Sequence, residues 1–315
     1  MVGSAFILIL MKESINPKAT MKKISLAILS LFVATATSPE VSGQKTTGNA
    51  PSLLYQVSGK GLSKPSYIFG TVHAVCSPDM VPLAALDPYL SSTDQLMMEV
   101  DMDDMVEMGS MAGAMMIPDG KTLKDYLTAE QFAKVDAMVI ELLGYSAENV
   151  KMIKPAMLTV LLITSQKAVG CTPTVYDREL MQNAVAKKKP VIGLETVASQ
   201  IKVIDSMPIE KQAKELYEMA LDPQKSINEF RKLTAAYKTR DPEKLFELTD
   251  TMMAGDREFQ GRLLDERNLA WIPKLETAFK EKPTFVAVGA GHLGGKKGVL
   301  ALLKGKGYKV TPVKL

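Results

Sequence analysis

The chain has 315 residues, 46% of them hydrophobic and 23% charged, with a formal net charge of +3. That balance excludes a basic nucleic-acid surface and an acidic low-complexity tail, and leaves an ordinary globular protein able to bury a sizeable core.

The N-terminus opens with an upstream stretch, 1–20, and then Met21-Lys22-Lys23, an apolar run over 24–36, and a polar segment ending in Val41-Ser42-Gly43. A basic start, a short apolar run and a small-x-small end are the layout of a secretory signal peptide over 21–43. The run is shorter than the roughly 20 apolar residues a spanning helix needs. Residues 1–20 therefore read as an extension ahead of the true start at Met21, 44–52 as a linker, and 53–315 as the folded domain. Nothing in the mature chain reads as a membrane span, so the expected location is periplasmic or secreted. In that setting the two cysteines, Cys76 and Cys171, read as a disulfide. Buried free thiols, or Cys76 as a zinc ligand beside His73, are the alternatives. A bridge would hold residues 170–179, with Tyr176, beside the loop that carries His73.

In chain order, 53–57 and 66–69 read as two strands of a hairpin with a long loop. A helix is expected over 81–90 and a strand over Gln95–Val100. Helices follow over 104–116, 128–143, 154–168 and 177–188, the second opened by a Thr128/Gln131 capping box. A strand at 190–194 precedes a strand-free stretch, 196–282, cut into helices by Pro208, Pro223 and Pro242 near N1 positions. Its last helix, 257–280, places Phe259, Leu263, Trp271, Leu275 and Phe279 on one stripe, with Pro273 expected to kink or split it. Strands at 284–288 and 308–313 flank a helix at 298–303. The fold class is α/β (α+β): a central mixed sheet of N- and C-terminal strands with a large helical insertion.

Four candidate groups share one place relative to the strands. The second strand runs into Gly70-Thr71-Val72-His73; Gln95–Val100 carries Glu99 near its end, with Asp101 next; 190–194 runs into Glu195; 284–288 runs into Gly289-Ala290-Gly291-His292. Open sheets gather ligand sites at the carboxyl ends of their strands. His73 and His292 are the only histidines of the chain. Two histidines and a carboxylate with open positions make a first-row metal site, able to lower the pKa of bound water. His73, His292 and Glu99 are the expected ligands, with Glu195 a further ligand or a base. A stepped run, Met102, Met105, Met108, Met111, Met115 and Met116, spirals around its helix and reads as flexible apolar surface rather than a thioether copper site.

Gly70-Thr71-Val72-His73, the strand with Glu99, Gly193-Leu194-Glu195-Thr196, Glu266-Arg267-Asn268 and the segment 286–292 resemble, in order, the TraB/PrgY/GumN family. Gly291-His292-Leu293, then 298–303 and Gly307-Tyr308, resembles the GumN-type ending. The resemblance spans about 53–313. It implies a fold shared with Tiki metalloproteases, erythromycin-esterase-like proteins and haem-binding ChaN-like proteins. It also implies Mn²⁺- or Co²⁺-dependent proteolysis through His73, His292 and Glu99. Arg267 becomes a candidate to orient a carboxylate or hold a substrate anion; apart from the resemblance, a Cys76–Cys171 bridge makes Tyr176 a candidate oxyanion donor.

The expectation is an exported hydrolase of peptide or ester bonds. It would depend on a divalent metal (Mn, Co or Zn) and act on a peptide or small-molecule substrate. A haem- or ligand-binding protein of the same fold without catalysis, or one that sequesters a peptide or partner protein, is the alternative.

Overall fold

The computed structural model describes residues 51–315. The extension 1–20, the signal peptide 21–43 and most of the linker lie outside the described residues.

Six strands form one sheet: β1 (Leu54–Ser58), β2 (Ser66–Thr71), β3 (Gln95–Val100), β4 (Val191–Glu195), β5 (Thr284–Gly289) and β6 (Lys309–Val313), in the order β4-β3-β5-β2-β1-β6. The expected hairpin is present, β1 pairing antiparallel with β2, and β6 closes antiparallel on β1. The other pairings, β2 with β5, β5 with β3 and β3 with β4, are parallel. This is the mixed α/β sheet that the order of elements implies. Parallel strands need crossovers and so have helices on both faces, and β2 and β3 are buried along their whole length.

The helices divide the core into three parts. On one face, α1 (Leu83–Ser91), α5 (Tyr176–Ala186), α8 (Pro223–Tyr237) and α9 (Pro242–Met252) pack on Phe69, Leu96, Met98, Phe285 and Ala287. On the other, α10 (Arg267–Glu281) and α11 (Val299–Gly305) pack on Ile68, Met97, Leu194, Val286 and Val288. The insertion builds a separate helical core from α2 (Met105–Ala114), α3 (Ala129–Leu143), α4 (Pro155–Ile163), α6 (Val197–Asp205) and α7 (Ile209–Leu221). Met108, Met111 and Met115 sink into this core while Met105 is exposed, as a spiral of threes around a helix requires. The Thr128/Gln131 capping box opens α3, each residue bonding the other's backbone N–H.

Two helices depart from the sequence reading. The helix expected over 154–168 ends at Ile163, because Thr164 Oγ1 bonds back to the Val160 carbonyl and the Ser165 side chain caps a new turn, Gln166–Val169. Local side-chain bonds of this kind compete with the helical ladder. The last long helix runs on through Pro273. Its irregularity comes earlier, where Gly261–Glu266 is a π segment between the turn Arg257–Gln260 and α10. Pro273 frees the carbonyl of Leu269, which is half exposed, a position where water can take the bond.

Candidate functional site

Because β2, β3, β4 and β5 run parallel, their carboxyl ends share one edge, and the four sequence-marked groups emerge there. Gly70 and Thr71 pair in register with Val288 and Gly289, which sets the two histidine-bearing turns side by side. The approach is close enough to require glycine. A Cβ at Gly70 would lie 2.7 Å from Leu293 Cδ1 and 3.1 Å from the Ala290 backbone.

At the centre is Arg267, the first residue of α10, 5% exposed. Its Nη2 reaches Glu99 Oε2 at 2.6 Å and Glu195 Oε1 at 2.5 Å, and its Nε reaches Glu195 Oε1 at 2.9 Å. Nη1 donates to the Leu263 carbonyl at 3.0 Å and meets His292 Nε2 at 3.1 Å. The Gln200 amide, from α6, donates to both carboxylates. Glu99 Oε1 accepts the Gly289 N–H at 2.8 Å and lies 3.8 Å from His292 Nε2. Burial works to raise the Glu99 pKa, but the charge of Arg267, with the His73 imidazole and the Gly289 N–H, holds it well below the usual carboxylate range.

The bonding around His292 dictates its tautomer. Asn268 spends its amide N–H on the Lys297 carbonyl, so its Oδ1 faces His292 Nδ1, at 2.7 Å, as an acceptor. Nδ1 must carry the proton. Arg267 can only donate, so Nε2 is the bare nitrogen. Burial first, and then Arg267, pull the His292 pKa down to about 3, and the imidazole is neutral at physiological pH. Trp271 packs on its ring at 4.6 Å between centroids.

His73 has the opposite environment. Its Nδ1 faces Asp177 Oδ2 at 3.4 Å, and neither atom has another hydrogen-bond partner. Thr71 Oγ1 donates to the other Asp177 oxygen. Burial works to lower the His73 pKa, and Asp177, with Glu99 behind it, outweighs this and raises it above its ordinary value. Asp177 is held there by two links three residues apart. Cys76 and Cys171 form the expected disulfide, with Cα atoms 5.9 Å apart, and Val75 and Thr174 pair through two backbone hydrogen bonds.

His73, Glu99 and His292 line one cleft of about 750 Å³ of free space, open mouth included, between the strand ends and the helices. Glu195 is not among its lining residues; it binds Arg267 and Gln200 behind Glu99. Tyr176 is not among them either. Its hydroxyl donates to the Val81 carbonyl and its ring packs on Phe69, so the disulfide-tied segment brings Asp177 against His73 and Thr71 and does not bring Tyr176 to the cleft. Asp177 and Gln200 are the site residues that the sequence reading did not single out. The signal for Asp177 lay in the disulfide, which brings 170–179 to His73 and leaves Asp177 as a carboxylate in that segment.

Among the described residues, no group of three or more His, Cys, Asp and Glu side chains is arranged to hold a metal ion. The donor set gives the reason: a guanidinium already lies against Glu99, Glu195 and His292 Nε2, where a cation would lie. As placed, these residues do not fit a resident metal.

The model of the TraB/PrgY/gumN family matches residues 53–312. The chain belongs to the TraB/PrgY/gumN family. A search of curated proteins and a search of solved structures each gave no significant match. The match covers the sheet up to the last residue of β6, both histidine turns and Arg267.

Proposed function

We propose that this family member is an exported hydrolase of peptide or ester bonds, of the GumN type and related to the Tiki proteases, acting in the cleft of His73 and His292. The observation that carries the reading is the opposite tuning of the two histidines at one cleft, His73 raised by Asp177 and Glu99, His292 lowered by burial and Arg267. Groups whose environments push their pKa values apart are natural acid–base assignments. With Nδ1 facing Asp177, His73 has Nε2 left for the cleft. It takes a proton from water as the water oxygen bonds to the carbonyl carbon. It then returns that proton to the leaving alkoxide or amine as the C–O or C–N bond breaks. Asp177 and Glu99 stabilise the imidazolium formed in between. Arg267, held by neutral His292 and Glu195, keeps Glu99 ionised and oriented. The Cys76–Cys171 bridge agrees with an oxidising compartment, and no described helix is long and apolar enough to cross a membrane.

A metal-dependent form of the reaction, with His73, His292 and Glu99 on Mn²⁺, Co²⁺ or Zn²⁺, draws support from one observation. Each imidazole turns its Nδ1 toward a carboxylate or amide oxygen, as ligating histidines do. It requires Arg267 to withdraw from Glu99 and His292. A screen of ester and peptide substrates, run after exhaustive chelation and again with each metal restored, separates the two. Turnover that survives chelation and disappears in His73→Ala and Asp177→Asn supports the dyad. Turnover restored only by metal supports ligation. Unchanged turnover in His73→Ala refutes both. A Soret band, or ligand retention with no turnover on any substrate, would favour the haem-binding or sequestering alternative.

A further inference from the structure

The wall of the cleft facing the histidines belongs to the helical layer and is apolar: Ile163 at the end of α4, Phe230 and Leu233 on α8, Leu245 on α9, and Leu263 and Leu264 on the π segment. Four hydroxyls also line the cleft, and each is already committed inside the protein. Thr71 donates to Asp177, Thr164 to the Val160 carbonyl, Tyr237 to the Gly70 carbonyl and Thr249 to the Leu245 carbonyl. All four residues are buried. No Lys or Arg is among the lining residues, and Arg267 behind them is saturated by Glu99 and Glu195. An anionic or accepting occupant would shed its water against this wall and find no donor left to receive it, and a cationic one would meet no carboxylate on that wall, at a cost of about 1–3 kcal/mol per unmet group. An apolar occupant loses nothing and gains burial.

We propose that this wall is the specificity pocket of the site: the group attached to the scissile carbonyl is an uncharged hydrocarbon, either a fatty acyl chain or an apolar amino-acid side chain. The inference rests on the hydrolase reading for the carbonyl and on the wall itself for the hydrocarbon. Ligand pockets are typically apolar with a few convergent polar groups. Here those polar groups sit at one end.

The chain carries its own reporter. Trp271 is its single tryptophan, buried, and packed at a tilt against His292. The test is a fluorescence titration of the intact protein with non-hydrolysable methyl ketones, from methyl ethyl ketone to methyl octyl ketone. Its second arm uses the N-acetyl N′-methylamides of leucine, aspartate and lysine. Affinity rises roughly threefold to fourfold per added methylene along the ketones, the value that burial of one methylene implies, or the leucine probe binds about tenfold tighter than the charged probes. A rise along the ketones assigns the acyl source, and discrimination among the amides the peptide source. Ile163→Glu flattens whichever gradient is found, and Ile163→Ser, gentler to the fold, weakens it. Ile163 is half-buried, a position where either change is tolerable. Affinity independent of chain length together with equal or tighter binding of the charged probes overturns the proposal. A steep gradient without cleavage of any matching ester or peptide retires the hydrolase reading and leaves the apolar pocket standing. Cleavage of short or charged substrates with flat binding does the reverse.

Discussion

Arg267→Met tests the central geometric claim, that a guanidinium is the cation of this site. The substitution keeps an unbranched, helix-compatible side chain and removes the donors that reach Glu99, Glu195, the Leu263 carbonyl and His292. Two carboxylate side chains, about one-tenth exposed, are then left facing each other with Gln200 as their shared donor. Removing one partner of a buried ion pair costs about 3–5 kcal/mol, since the uncompensated charge stays buried. The cost depends on pH in a defined direction. In the wild type, the Glu99 pKa is depressed, so its contribution is present above the unfolded carboxylate value and lost as pH falls through the folded one. Without Arg267 that depression disappears, and one carboxylate takes up a proton readily. Urea denaturation of wild type and variant at neutral and at mildly acidic pH reads both effects: a loss of about 3–5 kcal/mol at neutral pH that shrinks on acidification. A loss below ~1 kcal/mol, the range of an exposed pair, or one that does not vary with pH, would refute the claim that Arg267 neutralises a buried pair.

Further outcomes follow from the same geometry. His73→Ala lowers kcat by about 10²–10⁴, the range for removing a general base, and Asp177→Asn lowers kcat with little change in KM while shifting the acidic limb of the pH–rate profile downward. Cys76→Ser loses up to about 4–5 kcal/mol of stability, because the bridge closes a loop with a sequence separation of 95, and chemical denaturation measures it; the turnover of the folded fraction also falls, since the same link holds Asp177 to His73. Gly70→Ala destabilises by about 1–3 kcal/mol, the cost of overpacking against Leu293 and Ala290. The His292 pKa falls from 6.5 to about 3 on folding, so its contribution is complete above pH 6.5 and drains away as pH drops toward 3. His73, raised, contributes in the opposite sense, below its unfolded value. A denaturant midpoint that declines between pH 6.5 and 3, and declines less in His292→Gln, bears this out.

The sheet was legible because its strands are short apolar runs that end in recognisable turns, and the segment Gln95–Val100 matched to the residue. Fully buried parallel strands are continuous apolar runs, told from a buried helix segment by their length rather than by their periodicity. The helix ends were less legible where one polar side chain decided them. Thr164 and Ser165 look unremarkable inside an apolar run, yet their hydroxyls compete with the ladder and stop α4. The π segment before Arg267 has no sequence mark either, since Gly261–Glu266 satisfies ordinary helical periodicity.

At the site, the glutamates and histidines were visible through a shared position at strand ends, a property of topology that a linear pattern can carry. Their partners were not. Asp177 enters through a disulfide and a two-residue bridge from 106 positions away from Thr71, and Gln200 comes from 101 positions past Glu99. The decisive step is electrostatic. Two carboxylates and two imidazoles, counted from the sequence, invite a metal, because nothing in that count supplies the balancing charge. Arg267 supplies it from a helix in which Asp265, Glu266 and Arg267 read equally well as a solvated face. Burial to 5% exposure turns one of those three into the ion at the centre of the site. The donors that suggest a metal therefore do not by themselves imply one. What the site can do rests on which cation occupies its middle, and the Arg267→Met experiment addresses that question directly.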